Sequence, residues 1–362
     1  MSADLLDTYE LTHSDLAAFL GERGQPRYRA DQVFRWVHRK PAASFDEMTD
    51  LPAALREELK GAFALGPFAV VARSEAEDSA KLLVALADGE AVECVRMETG
   101  EGAASLCLSS QVGCAIRCAF CASGAGGFVR HLTAGEMVRQ AVTLRLLVGP
   151  ARNVVFMGMG EPMQNVEAVM RAIAILTDKH GWGLSPERVT VATSGAAGGI
   201  SRYAREGQAT ELAVSLNAPD DGLRQQLMPG ARDALQDVLT ACDEFTARHR
   251  GRPVTYTYVL LEGVNDQPAQ ARGLASLLSG RRHHVNLIPY NAVEGARFVR
   301  PSGTEMAAFM RRLQDAGLNV SLRHSKGGAI NAACGQLRAS RAADAQPPGF
   351  TQPSSAGRGG HP

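Results

Sequence analysis

Apolar residues along the chain change their spacing three times, and each change marks a different kind of element. Over residues 1–65 the spacing is helical. Ser14 reads as the cap of a helix running to about Arg23, and Arg29-Ala-Asp-Gln-Val-Phe-Arg-Trp-Val-His38 repeats its apolar positions with helical period. Leu51 to Phe63 reads as a third short helix opened by Pro52. Over 66–104 the pattern turns to strands. Leu82-Leu-Val-Ala-Leu and Ala91-Val-Glu-Cys-Val-Arg-Met flank Asp88-Gly89, a strong two-residue turn signal, so a β-hairpin is predicted. Ala104 to Ser109 is a further strand candidate.

From about 105 to 324, short apolar runs alternate with helical stretches. Strands are predicted at Asn153-Val-Val-Phe-Met, Arg188-Val-Thr-Val-Ala, Glu211-Leu-Ala-Val-Ser-Leu, Val254-Thr-Tyr-Thr-Tyr-Val-Leu, His284-Val-Asn-Leu-Ile and Asn319-Val-Ser-Leu-Arg. Thr133-Ala-Gly-Glu136 is a capping-box pattern that opens one of the intervening helices, and 234–248 forms another. About six repeated βα units imply an α/β fold with a parallel sheet, as an open or closed barrel. Ligand sites in such sheets lie at the carboxyl ends of the strands. Residues 338–362, rich in Ser, Arg, Gly, Pro and Gln, lack any period and are expected to be disordered. The expected organisation is therefore a helical accessory unit (1–65), a hairpin extension (66–104), a barrel core with its C-terminal segment (105–337) and a tail (338–362).

Composition narrows the class. The 362 residues are 45% hydrophobic and 21% charged, as in ordinary globular proteins. No apolar run approaches the ~20 residues that span a bilayer. The N-terminus, Met-Ser-Ala-Asp-Leu-Leu-Asp, has neither the basic nor the apolar part of a signal peptide, so a cytoplasmic location is expected. A formal net charge of zero gives no global attraction to nucleic acid, which leaves a local patch as the route to one. Arg281-Arg282-His283-His284 and Arg323-His324-Ser325-Lys326 are such clusters, each read singly as a solvated face. The seven cysteines are an odd number, which argues against a structural disulfide framework.

Three of those cysteines lie on one short segment, Gly113-Cys114-Ala-Ile-Arg-Cys118-Ala-Phe-Cys121. Three thiolates can ligate three irons of a [4Fe–4S] cube and leave the fourth iron open. A cluster that only carries electrons normally has four cysteine ligands. An open iron can instead chelate the amino and carboxylate groups of S-adenosylmethionine and pass an electron to its sulfonium. Zinc and buried free thiols are the competing readings. Zinc sites usually pair C-x-x-C with a second Cys/His pair, and no second cluster lies near the first. Phe120, just before the last cysteine, is expected to shield the cluster from water.

Other segments fit a cofactor site at strand ends. Phe156-Met-Gly158-Met-Gly160-Glu161-Pro162 follows a strand and precedes a helix. Its glycines allow close backbone approach, and Glu161 can accept from an ammonium group. Val191 to Gly195, Ser215-Leu216-Asn217 and Pro289-Tyr290-Asn291 also end predicted strands. Taken singly, each reads as a capped strand end.

Together these residues resemble the RlmN/Cfr family of radical-SAM RNA adenine methyltransferases. The resemblance covers roughly residues 5–337. It runs through Arg29-Ala-Asp-Gln-Val, Phe45-Asp-Glu-Met-Thr-Asp, Cys107-Leu-Ser-Ser-Gln-Val-Gly-Cys114, the cluster loop, Gly158-Met-Gly-Glu-Pro162, Ser215-Leu-Asn-Ala-Pro219, Asn286-Leu-Ile-Pro289 and Ala332-Ala-Cys334-Gly-Gln-Leu337. It implies a partial (βα)6-type radical-SAM barrel with a small N-terminal helical domain that contacts RNA. It implies a [4Fe–4S] cluster on Cys114, Cys118 and Cys121, and two equivalents of S-adenosylmethionine per turnover. Cofactor contacts carry over to Gly160, Glu161, Ala192, Ser215, Leu216, Asn217 and Asn291.

The resemblance also implies a chemistry. Carbon 2 of adenine is electron-poor and cannot attack a sulfonium methyl, whereas a radical can add to it. Cys334 takes a methyl from one S-adenosylmethionine. A 5′-deoxyadenosyl radical from a second removes hydrogen from that S-methyl group, and the carbon adds to the base. Glu93 accepts the proton, and Cys107 releases the crosslink by a transient disulfide with Cys334. Without the resemblance, Cys107 and Cys334 read as small buried apolar residues; their polar, small neighbours favour the chemical role. Cys94 and Cys242 read as packing residues. The implied partners are 23S rRNA, tRNA as a further substrate, and a one-electron donor of the flavodoxin type, with no membrane and a monomeric state.

The chain departs from the family pattern in four places. Ala192 stands where Ser is usual, Asn217 where His is usual, and Ser325 to Asn331 replaces an acidic stretch. The spacing from Glu93 to Cys107 is one residue longer than the family implies. Methylation at adenine C8, as in Cfr, is the alternative activity. A non-catalytic RNA-binding module with a structural metal is the alternative of another class.

Overall fold

Thr12, rather than Ser14, opens the first helix. The computed structural model describes residues 5–100, 103–293, 295–323, 330–337 and 340–341. Strand β1 (Leu6–Asp7) precedes helix α1 (His13–Gly21). The Thr12 hydroxyl accepts from the Asp15 N–H while the Asp15 carboxylate accepts from the Thr12 N–H, closing a capping box that Ser14, one turn position inside, cannot make. Helix α2 (Tyr28–Phe34) runs into a single π-turn over Arg35–Arg39, and α3 (Ala53–Ala62) starts after Pro52 and ends in β2 (Phe63–Ala64), which pairs with β1 in parallel. The inward faces carry Leu16, Leu20, Val33, Phe34, Leu55 and Leu59, all buried.

An antiparallel meander follows. Strands β3 (Val70–Ala76), β4 (Ser79–Ala85) and β5 (Glu90–Gly100) are joined by tight turns, with Gly89 at φ +85° between β4 and β5. The meander and the barrel form one sheet. Strand β6 (Ala103–Cys107) pairs antiparallel with β5 on one side and parallel with β9 (Asn153–Phe156) on the other. Between them lie the short pair β7 (Gln111–Gly113) and β8 (Phe128–His131), the one-turn helix α4 (Ala122–Ala125) and helix α5 (Ala134–Leu147). Helix α5 opens on the expected Thr133–Glu136 capping box.

The remaining units wind in sequence order. They are α6 (Val166–Thr177), β10 (Val189–Thr193), α7 (Ala197–Glu206), β11 (Glu211–Ser215), α8 (Asp221–Leu227), α9 (Leu235–Arg248), β12 (Val254–Leu260), α10 (Pro268–Leu278), β13 (His283–Pro289), α11 (Gly303–Asp315) and β14 (Val320–Leu322). Among the described residues, seven parallel strands, β6 and β9 to β14, are therefore linked by six helical crossovers. The barrel is open there, because β5 occupies the second edge of β6 and β14 pairs with β13 alone among the described strands. This is the partial (βα)6 barrel that the family resemblance implies. Of the segment 338–362, only the short strand β15 (Ser340–Arg341), antiparallel to β5, lies within the described residues. His324, Ser325 and Lys326 lie outside them. Among the described residues, no helix is long and apolar enough to cross a membrane.

The helical unit docks on α5 and α6. Arg171 pairs with Glu10 and Asp15, and Arg145 donates to the Arg39 carbonyl. Gly181 packs so closely on Phe34 that an added Cβ would lie 2.7 Å from its ring.

Candidate active site

The carboxyl ends of the parallel strands open into one cavity of about 1030 Å³, counting its solvent-facing mouth. Each strand from β9 to β14 contributes a residue at or near its end: Phe156, Thr193, Ser215, Thr257, Ile288 and, just past β14, Arg323. That is where ligands sit in parallel α/β sheets. Cys114, Cys118, Cys121 and Cys334 line the same cavity.

The cluster loop is shaped by close backbone packing. Gly113 has φ +71°, and an added Cβ would lie 1.8 Å from the Gly127 carbonyl oxygen. That contact lets the Cys114 N–H donate to the same carbonyl at 2.8 Å. Arg117 takes a left-handed turn at φ +54° between the first two cysteines. All three thiols are free. Burial pushes each of them up, Cys114 to about 12, and the neighbouring thiols and Glu161 add to the effect at Cys118. Three crowded, largely desolvated thiols are poor anions alone, but they fit metal ligation, because bound iron replaces the protons. The donor set is the one a [4Fe–4S] cluster with one open iron requires. Phe120 is buried beside Cys114, Met228 and Tyr290 in an apolar cluster around the loop, as expected of a shield.

The turn after β9 leaves no room for side chains. A Cβ at Gly158 would lie 2.7 Å from the Leu108 backbone, and one at Gly160, which has φ +106°, would lie 2.6 Å from Gln111. Glu161 is only 2% exposed. Its carboxylate accepts from the Ser194 N–H at 2.6 Å, the Ser194 hydroxyl at 2.5 Å and the Met163 N–H at 2.9 Å. A carboxylate has about four acceptor sites, so one is left for a ligand. Glu161 thus ties the ends of β9 and β10 together as much as it faces the cavity.

The other expected cofactor residues divide into two groups. Gly160, Ala192, Ser215, Asn217 and Asn291 line the cavity. Ser215 and Thr257 share a hydroxyl–hydroxyl bond of 3.1 Å. Asn217 has φ +59°, and its side-chain oxygen accepts from the Val259 N–H at 2.9 Å, so its amide also holds β11 to β12. Leu216 is the exception. Its side chain packs into the main core, because alternation along the strand turns it away from Ser215 and Asn217. Only its backbone is left to face a ligand.

The structure brings the two distant cysteines together. Cys107 ends β6 and is buried; Cys334 is exposed on the C-terminal segment. Burial pushes the Cys107 thiol up to about 12, with the Cys334 thiol adding to the effect, whereas the Arg323 guanidinium and the Met157 N–H pull it down. Cys334 is also within electrostatic reach of Cys121. Its segment is pinned at several points: the Asn291 side chain donates to the Cys334 carbonyl at 3.2 Å, the Ala122 N–H to Gly335 at 2.7 Å and the Ser123 hydroxyl to Leu337 at 2.7 Å. Glu93 lies on β5 in an adjoining cavity, paired with Lys81 at 2.8 Å. The β5–β6 pairing between Glu93 and Cys107 is not regular throughout. The β5–β6 register slips between Glu98 and Gly100, so Thr99 is extra, while Val95 still pairs with Cys107. Cys94 and Cys242 are core residues, as expected.

Sequence reading missed three site residues. Arg323, taken as part of a solvated cluster, lines the cavity. Arg224, which belongs to no motif read from the sequence, is 2% exposed and donates to the Ser194 carbonyl, tightening the same strand end that holds Glu161. Lys81 carries no motif at all. Only the register of β4 on β5 reveals it.

An open βα barrel with a three-cysteine loop at the carboxyl ends of its strands defines the radical S-adenosylmethionine enzymes. The pattern of that superfamily matches residues 108–272, and that of the ribosomal RNA large subunit methyltransferase N-terminal domain matches residues 4–65. A protein of Moorella thermoacetica named "Probable dual-specificity RNA methyltransferase RlmN" is 44% identical over 92% of this chain and 97% of its own. The "Dual-specificity RNA methyltransferase RlmN" of Halorhodospira halophila is 44% identical over 89% and 90%. The crystal structure of a radical SAM methyltransferase from Sphaerobacter thermophilus superposes with a TM-score of 0.87 at 42% identity, covering 92% of this chain and 99% of that one. The chain belongs to the RlmN family of radical SAM methyltransferases. Enzymes of this kind use a [4Fe–4S] cluster and S-adenosylmethionine.

Proposed function

We propose that this enzyme methylates carbon 2 of adenine in RNA, in 23S rRNA and in tRNA, with Cys334 as methyl carrier, Cys107 as releasing thiol and Glu93 as proton acceptor. One observation carries the reading: Cys334 lines the same cavity as Cys114, Cys118 and Cys121, and it lies within electrostatic reach of Cys107, far away in sequence, at the end of β6. Cys114, Cys118 and Cys121 would hold the cluster, and Gly160, Glu161, Ala192, Ser215, the Leu216 backbone, Asn217 and Asn291 would surround S-adenosylmethionine; together these groups would supply a hydrogen-abstracting radical.

The chain's own residues supply the rest. Cys334 holds the methyl group as a thioether and presents it at the cavity mouth, since its segment is pinned at Cys334 and at Leu337. After the methyl carbon has bonded to the base, Glu93 takes the C2 proton. The Cys107 thiolate then attacks the Cys334 sulfur. That forms the disulfide, breaks the sulfur–carbon bond and leaves the carbon on the base, where a proton completes the methyl group. Before that attack the radical adduct gives one electron back to the one-electron carrier, and the Cys107 thiol gives up the proton that ends on the methyl group; the disulfide then holds the two-electron oxidation that balances reduction of the cofactor's 5′ carbon.

The helical unit 1–65 serves as an RNA-contact domain, 66–104 as the strand extension that carries Glu93, and 105–337 as the catalytic core. The enzyme acts as a cytoplasmic monomer, reduced by a donor of the flavodoxin type. Cys107→Ala should trap a covalent protein–RNA adduct that survives denaturation, because release needs that thiol. An absence of adduct overturns the mechanism. Mass spectrometry of the digested product should show 2-methyladenosine; 8-methyladenosine in its place would assign the alternative regiochemistry.

A further inference from the structure

Beside Cys334 lies a second cavity of about 470 Å³, lined in part by Lys81, Glu93, Ala122, Ala292, Asn331 and Gln336. Its walls are the sequence neighbours of the main cavity's walls. Ala122 follows Cys121, Ala292 follows Asn291 and Gln336 follows Gly335. The two cavities therefore share the loop that carries the methyl acceptor.

Glu93 and Lys81 reach this cavity from adjacent strands. In the β4–β5 register Leu83 faces Glu93 and Lys81 faces Val95, so the two side chains leave the same face one diagonal step apart. Both are largely out of solvent, at 13% for Lys81 and 11% for Glu93. The Lys81 ammonium donates to the Glu93 carboxylate at 2.8 Å and, with another of its hydrogens, to the Asn331 carbonyl at 3.1 Å. Asn331 is three residues before Cys334 on the methyl-carrying segment. One cation thus bridges the carboxylate and that segment.

We propose that Lys81 is a positioning residue for methyl transfer, fixing the Glu93 carboxylate against the segment that carries Cys334. This rests on the reading of Glu93 as proton acceptor and Cys334 as methyl carrier. A glutamate has three side-chain torsions, so each fixed partner narrows the places its carboxylate samples. Lys81 is a close cationic partner of this buried carboxylate, so its loss would weaken the hold and let the carboxylate shift toward its remaining contacts. With Lys81 in place, the carboxylate stays where the C2–H bond of a base attached to Cys334 must come. The hydrogen leaves as a proton to Glu93, its bonding pair stays on the ring, and no oxidant is needed at this step. The other anchors of the segment, at Asn291, Ala122, Ser123 and Gln336, do not involve Lys81, so loading of the methyl group on Cys334 does not depend on it.

The test uses cluster-loaded full-length enzyme with protein-free 23S rRNA. Two things are read: the methyl mass on Cys334 in the absence of RNA, and the decay of the covalent protein–RNA adduct in a single turnover. Lys81→Met should load the methyl group within about threefold of wild type, yet release the adduct roughly tenfold or more slowly, as Glu93→Gln does; tenfold is a modest cost for a displaced proton acceptor. Lys81→Arg should restore release to within about threefold, which a merely structural lysine would not require. Wild-type release in Lys81→Met, alongside accumulation in Glu93→Gln, would overturn the positioning role and leave the Glu93 reading intact. Wild-type release in Glu93→Gln would overturn both. If Lys81→Met loses its cluster, Lys81→Gln, which keeps a donor but not the charge, takes its place: slowed release supports the role and wild-type release overturns it.

Discussion

Three donors converge on the Glu161 carboxylate, and two of them come from Ser194. A hydrogen bond to a charged group contributes about 1.5–3 kcal/mol. Ser194→Ala removes the hydroxyl donor and keeps the backbone one, so the β9 and β10 ends lose part of their clamp. We expect affinity for S-adenosylmethionine to fall roughly tenfold, equivalent to about 1.4 kcal/mol, with cluster content unchanged. A titration of cluster-loaded protein checks this, and unchanged affinity would show that Glu161 is held well enough without the hydroxyl. At this scale the cluster cysteines were legible, because their spacing is itself the chemistry. Arg224 was not. No motif marks it, and only the neighbouring strand end that buries it shows its place.

The β5–β6 hairpin shows how an element absorbs a change. The extra residue, Thr99, sits in a bulge at the far end from Glu93, and pairing from Glu98–Ala104 to Val95–Cys107 is regular. Deleting Thr99 should restore plain antiparallel pairing without shifting Glu93 or Cys107. Methyl transfer is expected to stay within about twofold of wild type, as for a change outside the site's contacts. A loss of more than tenfold would mean that the bulge itself aims Glu93. The elements were largely legible, since alternation, helical period and capping residues act over a few neighbours. The start of α1 was misread. Thr12 and Ser14 are both good caps, and only the reciprocal bond with Asp15 separates them.

Between the helical unit and the barrel lies His38, buried at 2% exposure with no hydrogen-bond partner for Nε2 among the described residues. Burial holds its imidazole down at about 3, and the nearby Arg145 guanidinium adds to the effect. The unfolded chain titrates near 6.5, so the folded state is the one that resists protonation. Stability from this group is therefore fully present above about pH 6.5 and is lost as the pH falls toward 3, by about 2 kcal/mol at pH 5. His38→Phe should flatten that dependence. The Tm difference between wild type and variant should shift in favour of the variant from pH 7.5 to pH 5, and a constant difference would show that His38 does not carry it.

Neighbouring residues alone specify the βα alternation, the hairpin, and a loop of three cysteines whose spacing calls for a cluster with an open iron. The family resemblance added roles for Cys107, Cys334 and Glu93, but not their arrangement. Folding across the chain is what brings Cys334 within electrostatic reach of Cys107 at the end of β6, sets Glu93 in an adjoining cavity with Lys81, and turns Arg224 and Arg323 inward. Those contacts join residues from opposite ends of the chain. They depend on six crossovers and on strand register, which no window of neighbouring residues records.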